Sequence, residues 1–275
     1  MENRQLTIMA NEVRKDIIEG THAAKCGHPG GSLSAADIVT FLYFEELRVD
    51  PKDPRNSGRD RFVLSKGHAA PALYGAMAER GFFPKEEIKT LRKVGSRLQG
   101  HPSMYHLPGV DMSTGSLGQG VSAACGMALA AKLQNRDYRV YALLGDGELE
   151  EGEVWEAAMF AAAKKLDNLT LIIDWNNLQI DGTLAEVNSP EPIDKKFEAF
   201  GFRVISIDGH DFDQIRGAFA AARETEGCPT AIVAKTVKGK GVSFMENVCG
   251  WHGKATNDAE FEVAMADLER LGETL

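Results

Sequence analysis

Apolar positions follow two regimes along the chain. In the first third they recur at helical spacing, so Gln5–Ile18 and Ala35–Leu47 read as amphipathic helices. Ser34 stands as an N-cap for the second, with Asp37 three residues on. Asp50–Arg61 is a Pro/Asp/Asn-rich connection, and Pro71–Arg80 and Lys85–Lys93 read as shorter helices. From Val121 short apolar runs alternate with helical segments. Arg139–Leu144, Leu169–Asp174, Phe202–Ile207 and Thr230–Thr236 have the length and composition of buried strands. Val121–Leu133, Glu150–Lys165 and Phe212–Arg223 are the helices between them. Such alternation predicts an α/β fold, a parallel sheet flanked by helices on both faces. No repeat or long linker interrupts it, so residues 1–275 are expected to form a single domain.

Composition narrows the function. The chain is 43% hydrophobic and 26% charged, which suits a buried core rather than a disordered segment. Forty acidic against 31 basic residues give a net charge of −9, with no basic run to offset it. Nucleic-acid binding is therefore not expected. Apolar runs are far shorter than the roughly 20 residues a membrane span needs, and the N-terminus lacks the apolar core of a secretory signal. Cys26, Cys125, Cys228 and Cys249 form no CxxC pair, which argues against a zinc ribbon or a disulfide framework. The expectation is a soluble cytoplasmic protein.

In open parallel sheets, ligands bind beyond the carboxyl ends of the strands, where strand order reverses. One predicted strand runs into Gly145-Asp146-Gly147 and the next into Trp175-Asn176-Asn177. Asp146 and Asn176 offer hard oxygen ligands for a magnesium or calcium ion, too few for a cage without ligand phosphates. The flanking glycines let a diphosphate approach the backbone closely. Alone, Gly-Asp-Gly is an ordinary surface turn and Asn-Asn a common turn pair. Jointly, about 30 residues apart and each after a buried strand, they point to a shared metal–diphosphate site.

A glycine-rich loop, Gly115–Gly120, opens into the Val121 helix, whose N-terminus favours an anion by about 0.3–1 kcal/mol. No strand precedes it, which counts against a dinucleotide fingerprint, and no GxxxxGK[ST] loop occurs. Four histidines, His28, His68, His101 and His252, sit in glycine- or proline-flanked loops. A lone loop histidine is usually just solvated or hydrogen-bonded. Four in such contexts suggest binding of sugar hydroxyls or proton transfer. His22, His106 and His210 lack that context and keep the ordinary structural reading. No nucleophile elbow is present.

These motifs together resemble the transketolase family. AKCGHPGGSLSAADI, DRFVLSKGHAAPALY, GHP at 100–102, STGSLGQG, GDGELEEGEVWEA, DWNNLQIDG and WHG follow one another in family order from about residue 20 to 255. The resemblance implies the diphosphate-binding domain of a thiamine diphosphate enzyme. Asp146, Asn176 and the carbonyl of Leu178 would hold Mg2+ (or Ca2+ or Mn2+), and His68 and Gly147 would contact the diphosphate. Gly115 and Leu117 would flank the aminopyrimidine. His28, His101 and His252 would line the substrate channel, and Glu151 would lie at a subunit interface. The implied reaction moves a two-carbon ketol group between sugars or sugar phosphates, as in the pentose phosphate pathway.

The sequence reads as the first of the family's domains, with the pyrimidine-binding and C-terminal domains expected on a second chain. The resemblance is thus to the N-terminal subunit of a split transketolase, with a C-terminal subunit completing an α2β2 heterotetramer. Lys66 stands where long-chain members usually carry Asn, and Cys249 about where they carry a histidine. Both bear on donor preference. Other thiamine diphosphate enzymes, of the deoxyxylulose-phosphate synthase or 2-oxoacid dehydrogenase type, and a silent scaffold of the same fold are the alternatives.

Overall fold

The computed structural model describes residues 1–273; the expected domain end at Leu275 lies outside them. The elements run α1 (Asn3–Ala24), α2 (Pro29–Phe41), β1 (Arg61–Leu64), α3 (Ala70–Arg80), α4 (Gln119–Leu133), β2 (Val140–Gly145) and α5 (Gly152–Ala163). They continue with β3 (Leu169–Trp175), α6 (Leu184–Val187), α7 (Ile193–Phe200), β4 (Arg203–Asp208), α8 (Phe212–Arg223), β5 (Thr230–Lys235) and α9 (Asp258–Glu273). The five strands pair in parallel in the order β1-β2-β3-β5-β4.

Strand alternation divides the apolar side chains between two layers, because successive Cβ atoms point to opposite faces. Tyr141, Leu143, Ile172 and Ile232 pack with α1, α2, α3 and α8. Val140, Ala142, Leu144, Leu171, Ile173 and Val233 pack with α4, α5 and α7. Each buried Val, Leu or Ile side chain among them, fully removed from water, contributes about 1.5–3 kcal/mol. Both faces are therefore covered, as expected from the sequence.

Several boundaries differ from the sequence reading. The helix expected at Ala35 begins at Pro29, with His28 as its N-cap, and gives way at Leu42–Glu46 to a wider π turn. The glycines that made this stretch read as loop pack tightly: a Cβ on Gly30 would lie 2.8 Å from the Trp251 carbonyl oxygen. Ser34 consequently caps nothing; its hydroxyl donates to Asp174 Oδ2 at 2.6 Å. Lys85–Thr90 is a 3-10 helix rather than an α-helix. The helix expected from Glu150 starts at Gly152, after a 3-10 turn over Gly147–Glu150. β1 was not anticipated, being four residues long beside the polar connection. α1 extends beyond Gln5–Ile18, and α6, α7 and α9 were missed.

Candidate active site

The carboxyl ends of β2 and β3 are adjacent because Gly145 pairs in register with Asp174. That adjacency brings Gly-Asp-Gly and Asn-Asn together. The Asn177 amide donates to Asp146 Oδ2 at 2.5 Å, and the Gly147 amide donates to Oδ1 at 2.8 Å. The meeting point is not where strand order reverses, since β1, β2 and β3 follow one another and reversal comes between β3 and β5. Proximity of two consecutive strand ends, rather than a switch point, creates the site.

A cavity of about 250 Å3 opens there. Asp146, Gly147, Asn176, Leu178, His68, Leu117 and His252 all line it. His28 and His101 stand beside it through ring contacts. His28 lies 5.3 Å from His68, 5.6 Å from His252 and 6.3 Å from His101, centroid to centroid. Gly115 packs against the His101 ring with φ 141°, where a Cβ would come within 3.0 Å of that ring. Glu151 is exposed at the N-cap of α5, beside Gly118, and does not line the cavity. The remaining histidines are held structurally. His22 contacts Thr256 and stacks on Phe261, His106 bonds Ser103, and His210 links Asp37 to the Val237 amide.

The electrostatics follow from burial. Asp146 is 3% exposed, and burial followed by repulsion from Asp174 pushes its carboxyl up to about 6. Two amide donors do not compensate that loss of hydration, so a cation beside this carboxylate would be electrostatically favoured. Among the described residues no three His, Cys, Asp or Glu side chains gather to hold a metal. The oxygen donors at hand are the Asp146 carboxylate, the Asn176 amide and the Leu178 carbonyl, a set that suits a hard cation sharing its shell with phosphate oxygens. The chemistry of this donor set therefore fits a metal–diphosphate pair.

Burial also lowers the histidines. His28 falls to about 4, with Arg92, His101 and Lys238 adding to the effect. His252 falls to about 3, with Lys238 the next cause after burial. His68 is held well below its ordinary value by burial and by Lys66, and His101 is lowered by burial and Arg92. All four are thus neutral near pH 7 and can both donate and accept hydrogen bonds.

Sequence reasoning missed several residues here. Lys238, just past β5, is 2% exposed and donates to the Leu178 carbonyl at 2.8 Å, with His252 Nδ1 at 2.9 Å. Burial, then Lys66, lowers its ammonium to about 8. Asp174 is completely buried and accepts from Ser34, Lys66 and Thr236. Burial works upward on it, and the Lys66 ammonium prevails, holding it below the usual carboxylate range. The strand end at Thr236 was the available signal for Lys238. Glu148 was missed too: its Oε1 accepts the Gly118 amide at 2.9 Å. The anion favoured by the glycine-rich loop is in part supplied by the protein itself.

Comparison with known proteins places nearly the whole chain in one family. Residues 6–270 match the family described as transketolase, thiamine diphosphate binding domain. A 6-deoxy-6-sulfo-D-fructose transketolase subunit of Clostridium sp. is 44% identical over 274 residues, covering 99% of this chain and all of that one. One of the apulose-4-phosphate transketolase subunits of Phocaeicola vulgatus is 42% identical, covering all of this chain and 98% of that one. The crystal structure of a transketolase from Campylobacter jejuni superposes with a TM-score of 0.91 at 37% identity, over 98% of this chain. The chain spans only 43% of that longer polypeptide.

Proposed function

This chain belongs to the transketolase family as its thiamine diphosphate-binding domain, and on that premise we propose that it is the N-terminal subunit of a two-chain transketolase. The reaction is transfer of a two-carbon ketol group from a ketose or ketose phosphate to an aldose or aldose phosphate. The observation that carries this reading is Asp146, a buried carboxylate set between two strand ends, facing a cavity flanked by four neutral histidines. Relatives that this chain matches end to end are named as transketolase subunits, which supports a second polypeptide.

Bound thiamine diphosphate supplies the carbanion chemistry that breaks and remakes the carbon–carbon bond beside the ketose carbonyl. This chain's own residues bind, orient and move protons. Asp146, Asn176 and the Leu178 carbonyl hold Mg2+ (or Ca2+ or Mn2+), and His68 and Gly147 contact the diphosphate. Gly115 and Leu117 flank the aminopyrimidine. His28, His101 and His252 bind sugar hydroxyls and relay protons, being neutral at working pH. Glu151, exposed at the start of α5, lies at a subunit contact. The pyrimidine-binding half comes from the C-terminal subunit, giving an α2β2 heterotetramer in the cytoplasm, with a place in pentose phosphate metabolism.

Affinity purification of the tagged chain from its native cell, followed by intact-mass measurement of the complex, tests this. An equimolar second chain and thiamine diphosphate-dependent ketol transfer by the complex are the expected results. A fully active assembly of this chain alone would overturn the two-chain reading. Decarboxylation of a 2-oxoacid without ketol transfer would move it to another thiamine diphosphate enzyme.

A further inference from the structure

Arg92 has no part in the motifs above, yet its guanidinium reaches the histidine cluster. It donates to the Gly100 carbonyl at 3.2 Å and faces His28 Nδ1 at 3.5 Å. Two backbone features put it there. Arg92 takes a left-handed conformation, φ 60°, at the start of a loop closed by its amide donating to the Leu98 carbonyl at 2.9 Å. Gly100 leaves the necessary space, since a Cβ there would lie 2.6 Å from Arg92 Cζ. A non-glycine residue in this region carries a conformational cost, retained only where surrounding structure over-determines it. The glycine of Gly-His-Pro therefore does more than shape a loop; it lets a guanidinium pass.

We propose that Arg92 is a positioning residue that sets the tautomer of His28. A guanidinium has only donors. The ring nitrogen it faces must therefore be the unprotonated acceptor, and the proton resides on Nε2. Nε2 lies on the side of Gly253, where a Cβ would sit 3.6 Å from it. The other groups facing His28 do not set its Nδ1 in this way. Lys238 acts on it through charge, and His68, His101 and His252 meet it as neighbouring neutral rings. Arg92 thus gives His28 a single donor face before any sugar arrives. The catalytic consequence rests on the sugar-facing role proposed above; the tautomer does not.

The test uses two-bond proton–nitrogen correlation spectra of the chain labelled with nitrogen-15 histidine. The wild-type chain should show His28 as the Nε2–H form alone. Arg92→Met should introduce a measurable Nδ1–H population and move the protonation midpoint of His28 upward. Arg92→Lys, which keeps a cationic donor, should restore the wild-type pattern. Gly100→Ala should reproduce the Arg92→Met spectrum with the guanidinium still present but displaced. An unchanged His28 in both Arg92→Met and Gly100→Ala would overturn the proposal, as would changes in His68 and His252 as large as those in His28. In the two-chain complex, Arg92→Met should shift the acid limb of kcat/KM to higher pH. An altered tautomer with an unmoved pH profile would support the role of Arg92 and overturn the sugar-facing role of His28.

Discussion

Two cavities with charged side chains in their walls lie at opposite ends of the same sheet, and their charges are arranged differently. Near the amino ends of β1 and β2, a cavity of about 260 Å3 is lined by Arg48, Arg139, Arg216, Arg223, Glu45, Glu46 and Asp60. There the acids meet guanidiniums: Arg48 pairs with Asp60 at 3.0 Å, Arg216 with Glu45 at 2.6 Å, and Arg223 with Glu46. At the carboxyl ends, Asp146 keeps its carboxylate on two amides, and the histidines are driven neutral. Charges that satisfy one another tie elements together. Groups whose desolvation is left uncompensated are poised for a ligand.

Asp146→Ala breaks this contrast most severely. Isothermal calorimetry of the assembled complex should show metal-dependent thiamine diphosphate affinity falling by about 10- to 100-fold, as for loss of a metal-site partner. The fold itself should persist. Arg223→Ala at the other cavity should do the reverse. It strands Glu46, 2% exposed at its side chain, which otherwise accepts from Arg223 and from the Tyr141 hydroxyl. Denaturant unfolding should show a loss of about 1–3 kcal/mol, with cofactor affinity unchanged.

Asp16 sharpens the comparison, because it is an under-bonded carboxylate outside both cavities. It is 1% exposed, neither oxygen accepts a hydrogen bond, the Lys85 ammonium approaches at 3.3 Å, and the Glu79 and Glu19 carboxylates repel it. Burial, against the pull of Lys85, pushes its carboxyl up to about 8. The folded chain therefore holds a proton that the unfolded chain releases near pH 4. The associated stability is fully present below that pH and is lost as pH rises toward 8. Asp16→Asn should flatten this dependence and raise stability at pH 8 by about 1–3 kcal/mol, measured by unfolding at pH 5 and 8. A Lys195→Ala change, removing an exposed pair with Glu198, should alter stability by less than about 0.5 kcal/mol.

Much of the site was legible because its chemistry is local. Gly-Asp-Gly and Asn-Asn each end an apolar run, and the run announces a strand end without any structure. Helix boundaries were less legible where glycine and histidine begin a helix, as at Pro29, because tight packing rather than propensity decides there. Lys66, Asp174 and Lys238 were opaque for another reason. Nothing in the spacing of a lysine shows that it will be buried against an aspartate 108 residues away.

The order of apolar runs and turns along the chain was therefore enough to determine an α/β sheet covered on both faces, and the motifs to pick out residues that the fold gathers around one cavity. Those properties depend on periodicity and on neighbouring residues. Only the tertiary structure decided which strand ends touch, which charges lose their water, and which donor faces each histidine nitrogen. These depend on strand register and on through-space distances between segments remote in sequence, which one-dimensional spacing does not encode.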